Sequence, residues 1–167
     1  MSTGIRSLDS SLQTTMDWIT EIQEELEWPD KEKVYKATKA VLQTIRDRSP
    51  FEEVLHLTAE LPMVMKGMVL DGYTLSGKPV KIRTIEEFFG YVQDRYGAGQ
   101  GNIINADEAC RGVINVISDK VGEGEMRKLV ANMPEDLRPL FQYRTPEQTA
   151  QPSRKTTSER KLEIPSI

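Results

Sequence analysis

Proline partitions this chain into short helical lengths. Pro29, Pro50, Pro62 and Pro134 each stand at a break between runs whose apolar residues recur three and four positions apart. Proline blocks a helix interior but suits the first turn, so this spacing confines the chain to a bundle of short helices. Leu12, Met16, Ile19, Ile22 and Leu26 mark a first helix from about Ser10 to Glu27, ended by Trp28-Pro29. Asp30 then offers a carboxylate to the free amides of a second helix, which carries Val34, Ala37, Val41 and Ile45 and stops near Arg48. Ser49-Pro50-Phe51-Glu52 reads as a capping box opening a third helix with Val54, Leu57 and Leu61. Pro62 restarts the chain into a short fourth helix, marked by Met65, Met68 and Val69, that ends before Asp71-Gly72.

From residue 71 to 83 the periodicity lapses into the turn dipeptides Asp71-Gly72 and Ser76-Gly77, Lys78-Pro79 and a short alternating Val80-Lys81-Ile82. A connecting loop is expected there, with room for a small hairpin. Helical signals resume at Thr84-Ile85-Glu86-Glu87, a second capping box leading into Phe88, Phe89, Val92 and Tyr96, and Gly97 to Gly101 close that helix. Asn105 opens the next helix, with Ala109, Val113, Ile114 and Ile117 on one face, and Gly122 is expected to end it as a left-handed cap. Two further helices follow, Glu123 to Asn132 and Pro134 to Tyr143. Beyond them the chain turns to Thr, Pro, Gln, Ser, Lys and Arg, so 144–167 reads as a disordered tail.

The second set of helices repeats the first. Placing Ala37 over Ala109 brings Val41 over Val113, Ile45 over Ile117, Asp47 over Asp119, Glu53 over Glu125, Leu57 over Leu129 and Pro62 over Pro134 with no gap. After a two-residue adjustment Trp18, Ile19, Ile22, Gln23 and Leu26 fall on Phe88, Phe89, Val92, Gln93 and Tyr96. The expected architecture is all-α: two tandem diverged four-helix repeats, about 10–70 and 84–143, joined by the 71–83 loop. A pseudo-two-fold would let them share one core, making 1–143 a single helical domain.

The residues also limit function. A single cysteine, Cys110, allows no internal bridge and suits a reducing cytoplasm. The N-terminal residues lack a signal peptide's basic start and apolar run, and no segment approaches the roughly 20 apolar residues that span a bilayer, so secretion and membrane insertion are not expected. Net charge is −4, and the residues from Arg144 onward contribute +2, which leaves the helical body at −6. Such a body repels phosphate backbones, which argues against nucleic acid as a partner.

No catalytic, metal or cofactor constellation emerges. His56 is the only histidine; it aligns with Lys128 on a polar face and reads as a surface residue, so neither a histidine pair nor a Ser-His triad can be assembled. Gly97-Ala98-Gly99-Gln100-Gly101 follows a helix rather than a strand and lacks the Lys-Ser/Thr ending of a phosphate cradle. Asp47 and Asp119 occupy equivalent places, where a bond to neighbouring backbone is the expected role. Arg46 and Arg48 flank Asp47 whereas Ser118 and Lys120 flank Asp119, which assigns any anion contact to Arg46 and Arg48 of the first repeat.

The fourth helix is apolar nearly all round, because Met63 and Val64 stand where the second repeat has Glu135 and Asp136. Its second face must therefore meet the other repeat, the loop, a partner or a ligand, and burial within the chain is the expectation. Met63, Met65, Met68 and Tyr73 are the candidate lining of a partner or ligand surface, since methionine suits adaptable apolar sites.

Leu61-Pro62-Met63-Val64-Met65-Lys66-Gly67-Met68, Asp71-Gly72-Tyr73 and Gly77-Lys78-Pro79, preceded by Ile45-Arg46-Asp47-Arg48, carry a family likeness in their order and spacing. Over roughly Leu12 to Tyr143 the chain resembles the prokaryotic domain of unknown function called DUF2267. Tyr73 departs from that pattern, which more often has tryptophan there. The resemblance implies a bacterial, all-helical cytoplasmic domain and brings no established activity, cofactor or catalytic residue.

Together these readings point to a non-enzymatic interaction or scaffold module that binds a protein partner or itself, without a cofactor. The alternative is a small-ligand-binding protein with an apolar pocket between the repeats; an enzyme using Asp47 with Arg46 comes third.

Overall fold

The computed structural model describes residues 2–97 and 102–142. Among these residues the chain is all-helical, with no strand. The order is α1 (Arg6–Leu26), α2 (Lys31–Arg48), α3 (Phe51–Ala59), α4 (Met63–Leu70), α5 (Ile85–Gly97), α6 (Ala106–Lys120), α7 (Glu123–Ala131) and a 3-10 helix (Glu135–Phe141). The expected tail, 144–167, and the glycine run from Ala98 to Gly101 lie outside the described residues.

Local chemistry accounts for several helix ends. The Asp30 carboxylate accepts from the amides of Glu32 and Lys33 at the start of α2, and the Asn105 side chain accepts from Glu108 at the start of α6. Thr84 Oγ1 receives the Glu87 amide at 3.2 Å while the Glu87 carboxylate takes the Arg83 amide at 2.9 Å, a reciprocal cap close to that expected. Glu27, at φ 57°, ends α1 in the left-handed conformation. The first helix begins at Arg6, before the expected Ser10. Asp9 in its first turn accepts from the amide and hydroxyl of Thr3 at 2.8 Å each, which ties the preceding residues to the helix.

Three ends differ from expectation. Ser49 does not cap α3; its hydroxyl donates to the Ile45 carbonyl at 2.6 Å, satisfying one of the free acceptors that every helix C-terminus leaves. Gly122 sits at φ −59°, not in the left-handed region, and opens α7. The last element is a 3-10 helix because Pro139 lies inside it, lacking the amide that an α-helix would need there. Leu137, Leu140 and Phe141 are buried nonetheless. The 71–83 connection forms no hairpin. It is fastened along the end of α2 by the Val80 amide on the Asp47 carbonyl (2.8 Å) and Arg48 Nε on the Ile82 carbonyl (2.8 Å), with Ile82 buried.

A single apolar core runs through both halves, from Ile19 and Ile22 of α1 to Leu140 and Phe141. Packing is crosswise: α1 lies on α6, α2 on α5 and α3 on α7. Gly112 of α6 makes the first crossing close, since a Cβ there would stand 2.4 Å from Leu26 Cδ2. Helix breaks recur between the halves. α3 and α7 each have nine residues, and each follows a residue with extended backbone, Ser49 at φ −94° and ψ 149°, Val121 at −87° and 147°. They end on Glu60 (−87°, −6°) and Asn132 (−85°, −4°), and Pro62 (−56°, 150°) and Pro134 (−54°, 149°) follow with nearly the same dihedrals. Gln23 donates to the carbonyls of Trp28 and Pro29 after α1, as Gln93 donates to Asn102 after α5.

Candidate functional site

The predicted anion contact is a buried lock. Arg46 and Asp47, on the last turn of α2, are 1% and 0% exposed. Arg46 Nε donates to Asp47 Oδ1 at 2.8 Å, and its Nη1 donates to the carbonyls of Val69 (2.7 Å) and Asp71 (2.9 Å), the negative end of α4. Its guanidinium lies 5.0 Å from the centre of the Tyr73 ring. From α5, the Tyr91 hydroxyl donates to Asp47 Oδ2 at 3.1 Å and Arg95 Nη2 pairs with the same oxygen. Arg95 Nη1 also donates to Gln43 Oε1, and the Gln43 amide donates to the Met68 carbonyl.

Burial pushes the Asp47 carboxyl up, but the hydrogen bond and charge of Arg46, the charge of Arg95 and the Tyr91 hydroxyl outweigh it and hold it below the ordinary aspartate value. Arg48 is turned to the Ile82 carbonyl, and its guanidinium is held down by burial and then by Arg83. Arg46 therefore spends its donors inside the fold, and Asp47 has no surface on which to meet a substrate. The Asp47 carboxylate thus bonds the side chains of Arg46, Tyr91 and Arg95 instead of the neighbouring backbone expected. Asp119, aligned with it in the sequence, is exposed and preceded by Ser118 where Asp47 is preceded by Arg46.

The methionine set separates. Met65 (0%) and Met68 (5%) are core residues, Met63 is 50% exposed, and Tyr73 stacks on Phe51 with ring centres 6.4 Å apart. Burial pushes the Tyr73 hydroxyl up, with the Asp47 charge adding to it; that hydroxyl is sealed from solvent without a hydrogen-bond partner. The second face of α4 is not buried: Met63, Val64 and Leu70 are open among the described residues. The expectation of burial within the chain is corrected, because the loop that follows turns instead along α2. Beside this face, the Val64 amide donates to Ser11 Oγ at 3.3 Å, and α1 carries the further open residues Leu8, Leu12 and Met16, spaced four apart.

Two clefts among the described residues are placed by their linings. One, of about 290 Å³, lies between the α1–α2 link and the segment before α6, lined by Trp28, Pro29, Lys33, Ile103, Ile104 and Glu108. The other, of about 530 Å³, lies along α1 against Leu61, Pro62 and Met63. Neither is lined by Met65, Met68 or Tyr73.

His56 is half-exposed, as a residue of a polar face would be, but its neighbours could not be read from α3 alone. It faces α7, where Nδ1 lies 3.5 Å from Glu125 Oε2, with Glu53 beside it. The sequence alignment that sets Glu53 over Glu125 marks two similar positions and does not show that they meet.

The family described as "Uncharacterized conserved protein (DUF2267)" matches residues 15–140. The chain belongs to the DUF2267 family. The match takes in the DUF2267 fold from α1 almost to the end of the 3-10 helix, with the Arg46–Asp47 lock, the α4 face and the His56 cluster inside it. Comparison with curated proteins gave no match. No helix among the described residues of this DUF2267 protein is long and apolar enough to cross a membrane.

Proposed function

We propose that this DUF2267 protein is a non-enzymatic helical interaction module of the bacterial cytoplasm, built from two diverged copies of one four-helix unit. Its binding surface is the outer face of α4 with the first turns of α1, and the partner supplies an amphipathic helix. The exposure of Met63 and Val64, 50% and 40%, carries this reading, and α1 adds the open ridge Leu8, Leu12 and Met16. Apolar residues spaced four apart form the ridge that packs into the groove of another helix. Open apolar patches mark interaction sites. The lock around Asp47 fits a scaffold role, since it fixes α4 against α2 and α5 and so holds that face in place.

The test compares the wild type with a Leu12→Glu/Met63→Glu variant. The double variant should keep wild-type helicity and melting temperature while losing a partner protein that the wild type binds, or losing its own self-association in sedimentation equilibrium. Equal binding by both proteins, or a turnover reaction surviving in the variant, overturns the reading.

A second reading, small-ligand binding, is favoured by the cleft at Trp28 and Ile104, which joins the two halves through Trp28 Nε1 on Glu108 Oε1 at 3.0 Å. A small molecule released on denaturing the wild type, and absent from Trp28→Ala, would support it. Its retention by Trp28→Ala would remove it.

A further inference from the structure

We propose that Glu53, His56 and Glu125 form a site for a divalent first-row transition ion, Zn²⁺ in the first instance, clamping α3 to α7. Glu53 and His56 are three apart on α3 and so share one face. Glu125 reaches the same point from α7. One ligand atom from each residue lies within 4.8 Å of the other two.

Two observations separate this cluster from ordinary surface charge. His56 Nδ1 and Glu125 Oε2 are both sealed from solvent, and neither has a hydrogen-bond partner. Nδ1 and Oε2 face each other across 3.5 Å with no hydrogen bond made by either, a gap that an intervening cation would fill. That spacing exceeds the 2.7–2.9 Å typical of a charge-assisted N–H···O bond. It fits an intervening ion: two donors, each about 2.0–2.2 Å from a tetrahedral Zn²⁺, stand roughly 3.4 Å apart.

The charges also fit. Two carboxylates and a neutral imidazole balance a divalent ion, and the cationic neighbour Lys128 lies 3.5 Å from Glu125 Oε1, leaving Oε2 to the metal. A nitrogen in the ligand set favours Zn²⁺, Co²⁺, Ni²⁺ or Cu²⁺ over Mg²⁺ and Ca²⁺, which take oxygen ligands. Glu53 and Glu125 hold the same place in their respective helices, whereas the counterpart of His56 is Lys128. The site therefore uses a paired position of the two halves and is completed by a residue of the first half alone. It stands independently of the interaction surface, which lies on α1 and α4.

The experiment is titration of the metal-stripped full-length protein with Zn²⁺ by calorimetry, with Co²⁺ absorption as a spectroscopic readout. We expect one Zn²⁺ per chain at this site and a raised melting temperature. His56→Ala and Glu125→Gln should each weaken binding more than roughly tenfold, beyond the lower end of losses seen for outer-shell partners, and remove the Co²⁺ ligand-field bands. Lys128→Ala should retain binding. Failure of the wild type to take up Zn²⁺, uptake that survives both ligand substitutions, or displacement of Zn²⁺ by millimolar Mg²⁺ overturns the assignment.

Discussion

The Asp47 carboxylate and the Arg95 guanidinium meet between α2 and α5, the acid wholly buried and the base partly open to solvent. Because its partners hold the acid below its ordinary value, the folded protein binds fewer protons there than the unfolded chain. The stabilisation is complete above the unfolded aspartate pKa of about 3.9 and is lost as pH falls through the lower folded value. Urea midpoints measured from about pH 6 down to pH 2 should show this acid limb in the wild type, shallower in Asp47→Asn. At neutral pH the substitution should cost about 3 kcal/mol, since it leaves Arg46 buried without its counter-charge. An unchanged midpoint would show that the lock is not structural.

The two faces of α4 should respond differently to truncation. Met65→Ala removes a fully buried side chain and should cost about 2–5 kcal/mol. Met63→Ala, on the open face, should stay within about 0.5 kcal/mol. Chemical denaturation of both variants reads the difference directly, and comparable losses would mean that the outer face is covered.

Gly112 allows α6 to approach α1, and Gly112→Ala opposes two effects. Alanine favours a helix interior by about 1 kcal/mol, whereas the clash with buried Leu26 costs about 1–3 kcal/mol. Net destabilisation of about 1 kcal/mol is expected, because Leu26 is itself packed in the core and has little room to yield. A stabilised variant in thermal melts would show that the crossing relaxes freely.

Cys110 is buried in α6, and burial pushes its thiol far above the usual range, with Asp107 adding to the shift. Alkylation in the native state should therefore be slow at neutral pH and rise to the rate of a free thiol only in denaturant. Rapid native labelling would place the α6 face in an open equilibrium.

The helix ends were legible wherever one residue acts on its own neighbours. Asp30, Asn105 and Thr84 meet amides two or three positions away, and Pro62 and Pro134 set the chain's direction by their rings alone. The Asp47 lock was hidden because Tyr91 and Arg95 reach it from another helix, and no local pattern shows which polar side chains α5 turns inward. Ser49 misled for a related reason, since a hydroxyl can serve either the helix before it or the one after it. Pro139 was visible, and its missing amide is what converts the last α-helix expected into a 3-10 helix. His56 reads as surface along α3 alone, and its cluster takes form only once α7 is laid beside it.

The crosswise packing of α1 on α6 and α2 on α5 makes the seam between the halves part of the core. Cutting the 71–83 connection would thus give two fragments that each expose an oily flank shaped for the other. Such fragments should find one another again in solution, and a single half-length chain would have reason to pair with its own kind.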